Sequence, residues 1–95
     1  NDANDYDKIV EGGLRSQVRQ AMNNIKNILK KHDATMDDIV KCTCILANGD
    51  DWGAMSEEYV KFFEKHKPAR TTFGGAELGD GILVEIDCIA KISDN

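Results

Sequence analysis

The chain switches between two hydrophobic periods. From Leu14 to His32, Leu14, Val18, Ala21, Met22, Ile25, Ile28 and Leu29 recur at steps of three and four, which gathers them on one side of a helix. Arg15, Arg19, Asn23, Lys26 and Lys30 take the other side, a solvated basic face. Lys30, Lys31 and His32 end this helix, where cations meet the negative end of its dipole. From Ile39 to Leu46 the period falls to two, which predicts a strand. Val40, Cys42, Cys44 and Leu46 form its apolar face, and Ile39, Lys41, Thr43 and Ile45 its mixed face. Trp52 to His66 is predicted as a second helix, with Trp52, Met55, Tyr59, Phe62 and Phe63 as its packing stripe. Asp50 or Asp51 suits its N-cap, and Lys67-Pro68 stops it, because the residue before proline avoids helical dihedrals.

Two β-prone runs follow, one over 69–76 and one over 82–92. The loop between them is rich in glycine and acid, so Pro68 to Lys91 reads as a hairpin. In the second run Ile82, Val84, Ile86, Cys88, Ala90 and Ile92 share one face, while Leu83, Glu85, Asp87, Ile89 and Lys91 share the other. In a hairpin with an even loop, facing residues have opposite parity, which puts Arg70 on the face of Glu85 unless a bulge near Gly74–Gly75 intervenes. A guanidinium can grip a carboxylate with two parallel hydrogen bonds, and a nearby carboxylate can activate a water.

The strand over 39–46, the second helix and the strand over 69–76 make a right-handed crossover between parallel strands. The expected fold is a two-layer α/β (α+β) sandwich, with a mixed sheet carrying both helices on one face. The half-apolar faces left over ask for a partner, which points to a homo-oligomer.

With 95 residues, one domain over 1–95 is expected, its opening residues 1–13 a loop or mobile arm. The net charge of −5 argues against nucleic acid as a partner, since that needs a basic face. Cys42, Cys44 and Cys88 lack metal or redox spacing and read as small buried hydrophobes of a reducing compartment. No metal or organic cofactor is suggested. No run reaches the roughly 20 apolar residues of a membrane span, and no signal peptide is recognisable.

Pro68-Ala69-Arg70-Thr71-Thr72, followed by Leu83-Val84-Glu85-Ile86-Asp87-Cys88-Ile89-Ala90, resembles the closing signature of the Rid family. These are the RidA-type (YjgF-type) enamine/imine deaminases, also known as L-PSP endoribonucleases or translation inhibitors. Gly13 to Ile25 is similar to the family's G-x-x-x-Q-x-x-x-A-x-x-N stretch, and Asp7 to Gly13 to the segment before it. Asp51-Trp52, Ser56, Tyr59 and Phe62-Phe63 are similar to its D-F-x-x-x-N-x-x-Y-x-x-F-F.

The resemblance implies a chorismate-mutase-like fold, a closed homotrimer with clefts between neighbours, and hydrolysis of reactive enamines or imines to 2-keto acids and ammonia without a cofactor. By resemblance Arg70 and Glu85 are the catalytic pair. Arg70 holds the substrate carboxylate, Thr72 and Ser56 help bind it, and Glu85 activates the water. Thr72 stands where many members have cysteine, and Ser56 where they have asparagine. The segment from Glu64 to Lys67 is shorter than expected. The family's N-terminal hairpin, which supplies a tyrosine and a serine-glycine turn to the site, has no counterpart in these residues. The cytoplasm or mitochondrial matrix would suit such an enzyme. The alternatives are a non-catalytic trimeric protein that binds small carboxylates, and an endoribonuclease that contacts RNA through Arg15, Arg19 and Lys26.

Overall fold

The computed structural model describes residues 12–92. Most of the expected arm, and the Rid-like segment before Gly12, lie outside them. Two helices, α1 (Gly13–Lys31) and α2 (Trp52–Val60), pack on one face of a sheet of three strands: β1 (Ile39–Leu46), β2 (Ala69–Phe73) and β3 (Val84–Ala90). The two-layer sandwich with a mixed sheet is therefore the observed architecture.

Each element follows from local chemistry. The α1 stripe buries Leu14, Val18, Met22 and Leu29 against Cys42, Cys44 and Leu46 of β1 and Met55 and Tyr59 of α2. A capping box starts the turn before β1: the Thr35 amide donates to Asp38 Oδ2 at 2.9 Å, and the Asp37 amide to Thr35 Oγ1 at 3.3 Å. The turn before α2 is capped by Asn48, whose Oδ1 accepts from the Asp50 amide at 2.9 Å. Asp51 takes the expected N-cap position of α2 without a side-chain capping hydrogen bond, and Asp50 lies within the turn.

The strand order is β2-β1-β3, so the expected hairpin does not form. β1 runs parallel to β2, as the crossover requires, and antiparallel to β3. With β1 in the middle, the apolar faces of β1 and β3 meet the helices together, and the side of β2 that carries Arg70 and Thr72 lies on the same face. The connection from β2 to β3 passes over the C-terminal end of β1, where Ala76 donates its amide to Leu46 O at 3.1 Å and Ala47 to Leu83 O at 3.0 Å. Gln17 ties this connection to α1. Its Nε2 donates to Gly81 O, and its Oε1 accepts from the Leu83 amide, both at 2.8 Å.

Three other expectations are corrected. An irregularity between Ile39 and Lys41 shifts the start of β1, so Ile39 points into the core and Val40 is exposed. α2 ends at Val60 rather than His66: two i→i−3 bonds, from Phe62 to Tyr59 and Phe63 to Val60, tighten the chain there. That turn buries Phe63, and His66 Nε2 then donates to Ile39 O at 2.7 Å. Finally, Cys42 and Cys88 lie directly opposite each other on β1 and β3, with Cα atoms 4.1 Å apart, and form a disulfide. Cys44 alone is a free buried thiol.

The basic side of α1 is not simply solvated. Glu58 of α2 is 2% exposed and accepts from Arg15 Nη1 at 2.8 Å, Arg19 Nη1 at 3.0 Å and Lys61 Nζ at 3.3 Å. Arg15 also bonds Glu57 at 2.7 Å. The Arg15 and Arg19 hydrogen bonds hold the Glu58 carboxyl down to about 2 against the opposing pull of burial, with Lys61 adding a smaller effect. Bonds to Glu57 and then Glu58 raise the Arg15 guanidinium above its ordinary value. This cluster fastens α1 to α2.

Candidate functional site

Trp52, Ser56 and Tyr59 stand at i, i+4 and i+7 on α2, so they form one stripe along the helix. β2 runs alongside. Its register pairs Arg70 with Cys42 and Thr72 with Cys44, and cross-strand partners project from the same side of a sheet. Arg70 and Thr72 therefore face the helices. The Arg70 Cζ lies 5.2 Å from the centroid of the Tyr59 ring and 6.0 Å from that of Trp52. Each contact is worth about 0.5–2 kcal/mol and fixes the guanidinium near both rings.

Two features distinguish this cluster. Arg70 makes no ion pair among the described residues, where the salt bridges involve Arg15, Arg19 and Lys61. On the same stripe and strand face, Ser56 Oγ, Tyr59 OH and Thr72 Oγ1 are buried with no hydrogen-bond partner among the described residues. A buried polar group left unsatisfied costs about 1–3 kcal/mol, and all three lie on the helix stripe or strand face that carries Arg70. Burial pushes the Tyr59 phenol up to about 12; Cys44 adds to the rise and Arg70 opposes it. Burial likewise raises the Cys44 thiol, with the charge of Arg70 drawing it partly back. Both groups are thus neutral near pH 7.

Of the four residues singled out in the sequence, Arg70, Thr72 and Ser56 come together here. Glu85 does not join them. It pairs with Ile45, which pairs in turn with Phe73, so Glu85 stands on the opposite face of the sheet. The shared face deduced for Arg70 and Glu85 rested on the hairpin and falls with it. Tyr59, which the sequence placed only in the packing stripe, joins the cluster. The available signal was a phenol, rather than a plain ring, one turn beyond Ser56.

The helix-free face of the sheet carries Ile45, Phe73 and Ile89, the last two 47% and 63% exposed. Among the described residues no helix is long and apolar enough to cross a membrane.

The fold and this cluster define a two-layer α/β domain with a half-buried arginine on an outer strand, beside aromatic and hydroxyl side chains of a helix. The chain belongs to the Rid family: the Endoribonuclease L-PSP family model matches residues 2–92. It is 41% identical over 83 residues to the RutC family protein UK114 of Drosophila melanogaster, covering 87% of this chain and 60% of the fly protein. It is 35% identical over 83 residues to the 2-iminobutanoate/2-iminopropanoate deaminase of Rattus norvegicus, covering 87% of this chain and 61% of the rat protein. A solved structure of YyfA from Yersinia pestis, described as a Rid family protein of unknown function, superposes with a TM-score of 0.85 at 34% identity. That match covers 93% of this chain and 71% of the solved one. The chain thus spans about three-fifths of the length of the fly and rat relatives.

Proposed function

We propose that this chain forms the arginine-bearing part of an enamine/imine deaminase that acts on small 2-imino acids. One observation carries this reading: among the described residues, an arginine without an ion pair lies over the Tyr59 ring, on the strand face and helix stripe that also carry three unpartnered buried hydroxyls. An Arg–carboxylate pair is strong in such a half-buried setting. The rat relative's name supports the reaction class. Arg70 grips the substrate carboxylate, with Ser56 and Thr72 as further donors. A water oxygen adds to the imine carbon as a proton passes to the imine nitrogen. The resulting carbinolamine collapses, the C–N bond breaks, and a 2-keto acid and ammonia leave. No step needs a metal or an organic cofactor.

Glu85 is the residue proposed to orient and deprotonate the water. Because it lies on the other face of its own sheet, it serves the Arg70 site of a neighbouring copy in a homotrimer. The exposed Phe73 and Ile89 on the helix-free face support such self-association.

The separation of Arg70 from Glu85 also favours a second reading, a trimeric protein that binds small carboxylates without turnover. The endoribonuclease alternative is disfavoured, because Arg15 and Arg19 are committed to Glu57 and Glu58. The deciding experiment generates 2-iminobutanoate in place with an amino-acid oxidase and follows imine loss and ammonia release. Acceleration that disappears in Arg70→Ala supports the deaminase. Carboxylate binding without acceleration, in folded and assembled protein, leaves the binding protein.

A further inference from the structure

We infer that Tyr59 is a second carboxylate-holding residue of the Arg70 site, its phenol donating to the acid that the guanidinium grips. The inference rests on the carboxylate-binding reading and extends it to a residue that reads, by sequence, as core.

The phenol is an anomaly if Tyr59 is only core. The side chain is 4% exposed, its ring packs against Phe63 with centroids 5.0 Å apart, and its hydroxyl has no partner among the described residues. A phenylalanine would pack equally well and leave no polar atom stranded. Ser56 and Thr72 repeat the anomaly beside it, on α2 and β2. The shared neighbour is Arg70, lying over the Tyr59 ring.

A carboxylate resolves all of this at once. It offers about four acceptor positions, and a guanidinium fork fills two of them. The remaining positions need neutral donors, and hydroxyls are neutral donors. The phenol stays protonated at every physiological pH, since burial pushes it up to about 12, so it can only donate to an anion. Arg70 is half-buried and Trp52, 6.0 Å from its guanidinium, is 45% exposed, so the guanidinium lies near the protein surface.

The test is calorimetric titration of 2-oxobutanoate, the stable keto-acid product of the proposed reaction, into the wild-type protein, Arg70→Ala and Tyr59→Phe, with thermal melts of each without ligand. Binding should be lost in Arg70→Ala and weakened about ten- to a hundredfold in Tyr59→Phe. The ligand-free melting temperature of Tyr59→Phe should stay level or rise, because an unsatisfied buried hydroxyl has gone. That opposition between affinity and stability is the signature of a binding role. Wild-type affinity in Tyr59→Phe, alongside loss in Arg70→Ala, overturns the inference and leaves the parent reading standing. A sharp fall in the Tyr59→Phe melting temperature also overturns it, since the hydroxyl would then be serving the fold. Absence of binding in the wild-type protein, folded and assembled, removes both.

Discussion

Arg70 and Glu85 stand on opposite faces of one sheet, because β1 separates their strands and their partners on it, Cys42 and Ile45, have opposite parity. One chain therefore cannot present both groups to one substrate. If both act in turnover, they act across an interface between copies.

Subunit mixing tests this directly. Glu85→Gln alone should lower turnover roughly a hundredfold or more, the usual worth of a general base, and Arg70→Ala should abolish substrate capture. Unfolding the two variants together and refolding them at equal ratio should restore roughly one quarter of wild-type turnover, the share of intact sites expected from random assembly in a closed ring. Ammonia release is the readout. Co-assembled variants that stay silent would exclude a site shared in this way.

The Glu58 cluster makes stability depend on acid. The carboxyl is held at about 2 in the fold against an ordinary unfolded value near 4.5. Its ionic contribution is fully present above the unfolded value and disappears as pH falls through the folded one. Glu58→Gln should lower the melting temperature at pH 7, and the gap from wild type should close between about pH 4.5 and pH 2. A gap that stays constant across that window would show that the charge of Glu58 is not what joins α1 to α2.

Gly74 sits where the connection from β2 meets the turn before α2. A Cβ there would lie 2.6 Å from Gly49 Cα and 2.8 Å from Gly49 N, both backbone atoms. Gly74→Ala should therefore destabilise by about 1–3 kcal/mol, as overpacking does. Gly49→Ala, whose Cβ meets nothing within 4 Å, should cost well under half as much. Urea unfolding midpoints of the two variants give the comparison, and equal midpoints would contradict the close approach.

The disulfide is checked by counting thiols. Protein unfolded without reductant should label at Cys44 alone, and all three cysteines should label after reduction. The bond spans a sequence separation of 46 residues, so breaking it should cost up to about 4 kcal/mol in the chain-entropy view. Three reactive thiols before reduction would return the cysteines to the role of small buried hydrophobes.

Much was decided by the sequence alone. The apolar stripe of α1, both ends of β1, the start of α2 and the parallel crossover into β2 all follow from side-chain period and local stop signals, which depend on near neighbours in the chain. The family was legible in the arginine- and glutamate-bearing strands and in the α1 and α2 matches, and Arg70, Thr72 and Ser56 were recognisable with it. Tertiary structure alone decided the rest, because each remaining feature depends on which distant segments touch. β3 pairs with β1 rather than β2, which brings the apolar faces of β1 and β3 under the same pair of helices, and that choice sends Glu85 away from Arg70. Arg15 and Arg19 turn to Glu58 because α2 packs beside α1. Cys42 meets Cys88 through the β1–β3 register. The Tyr59 hydroxyl becomes noteworthy only when α2 lies along β2, where its ring meets Arg70 and its oxygen meets no partner.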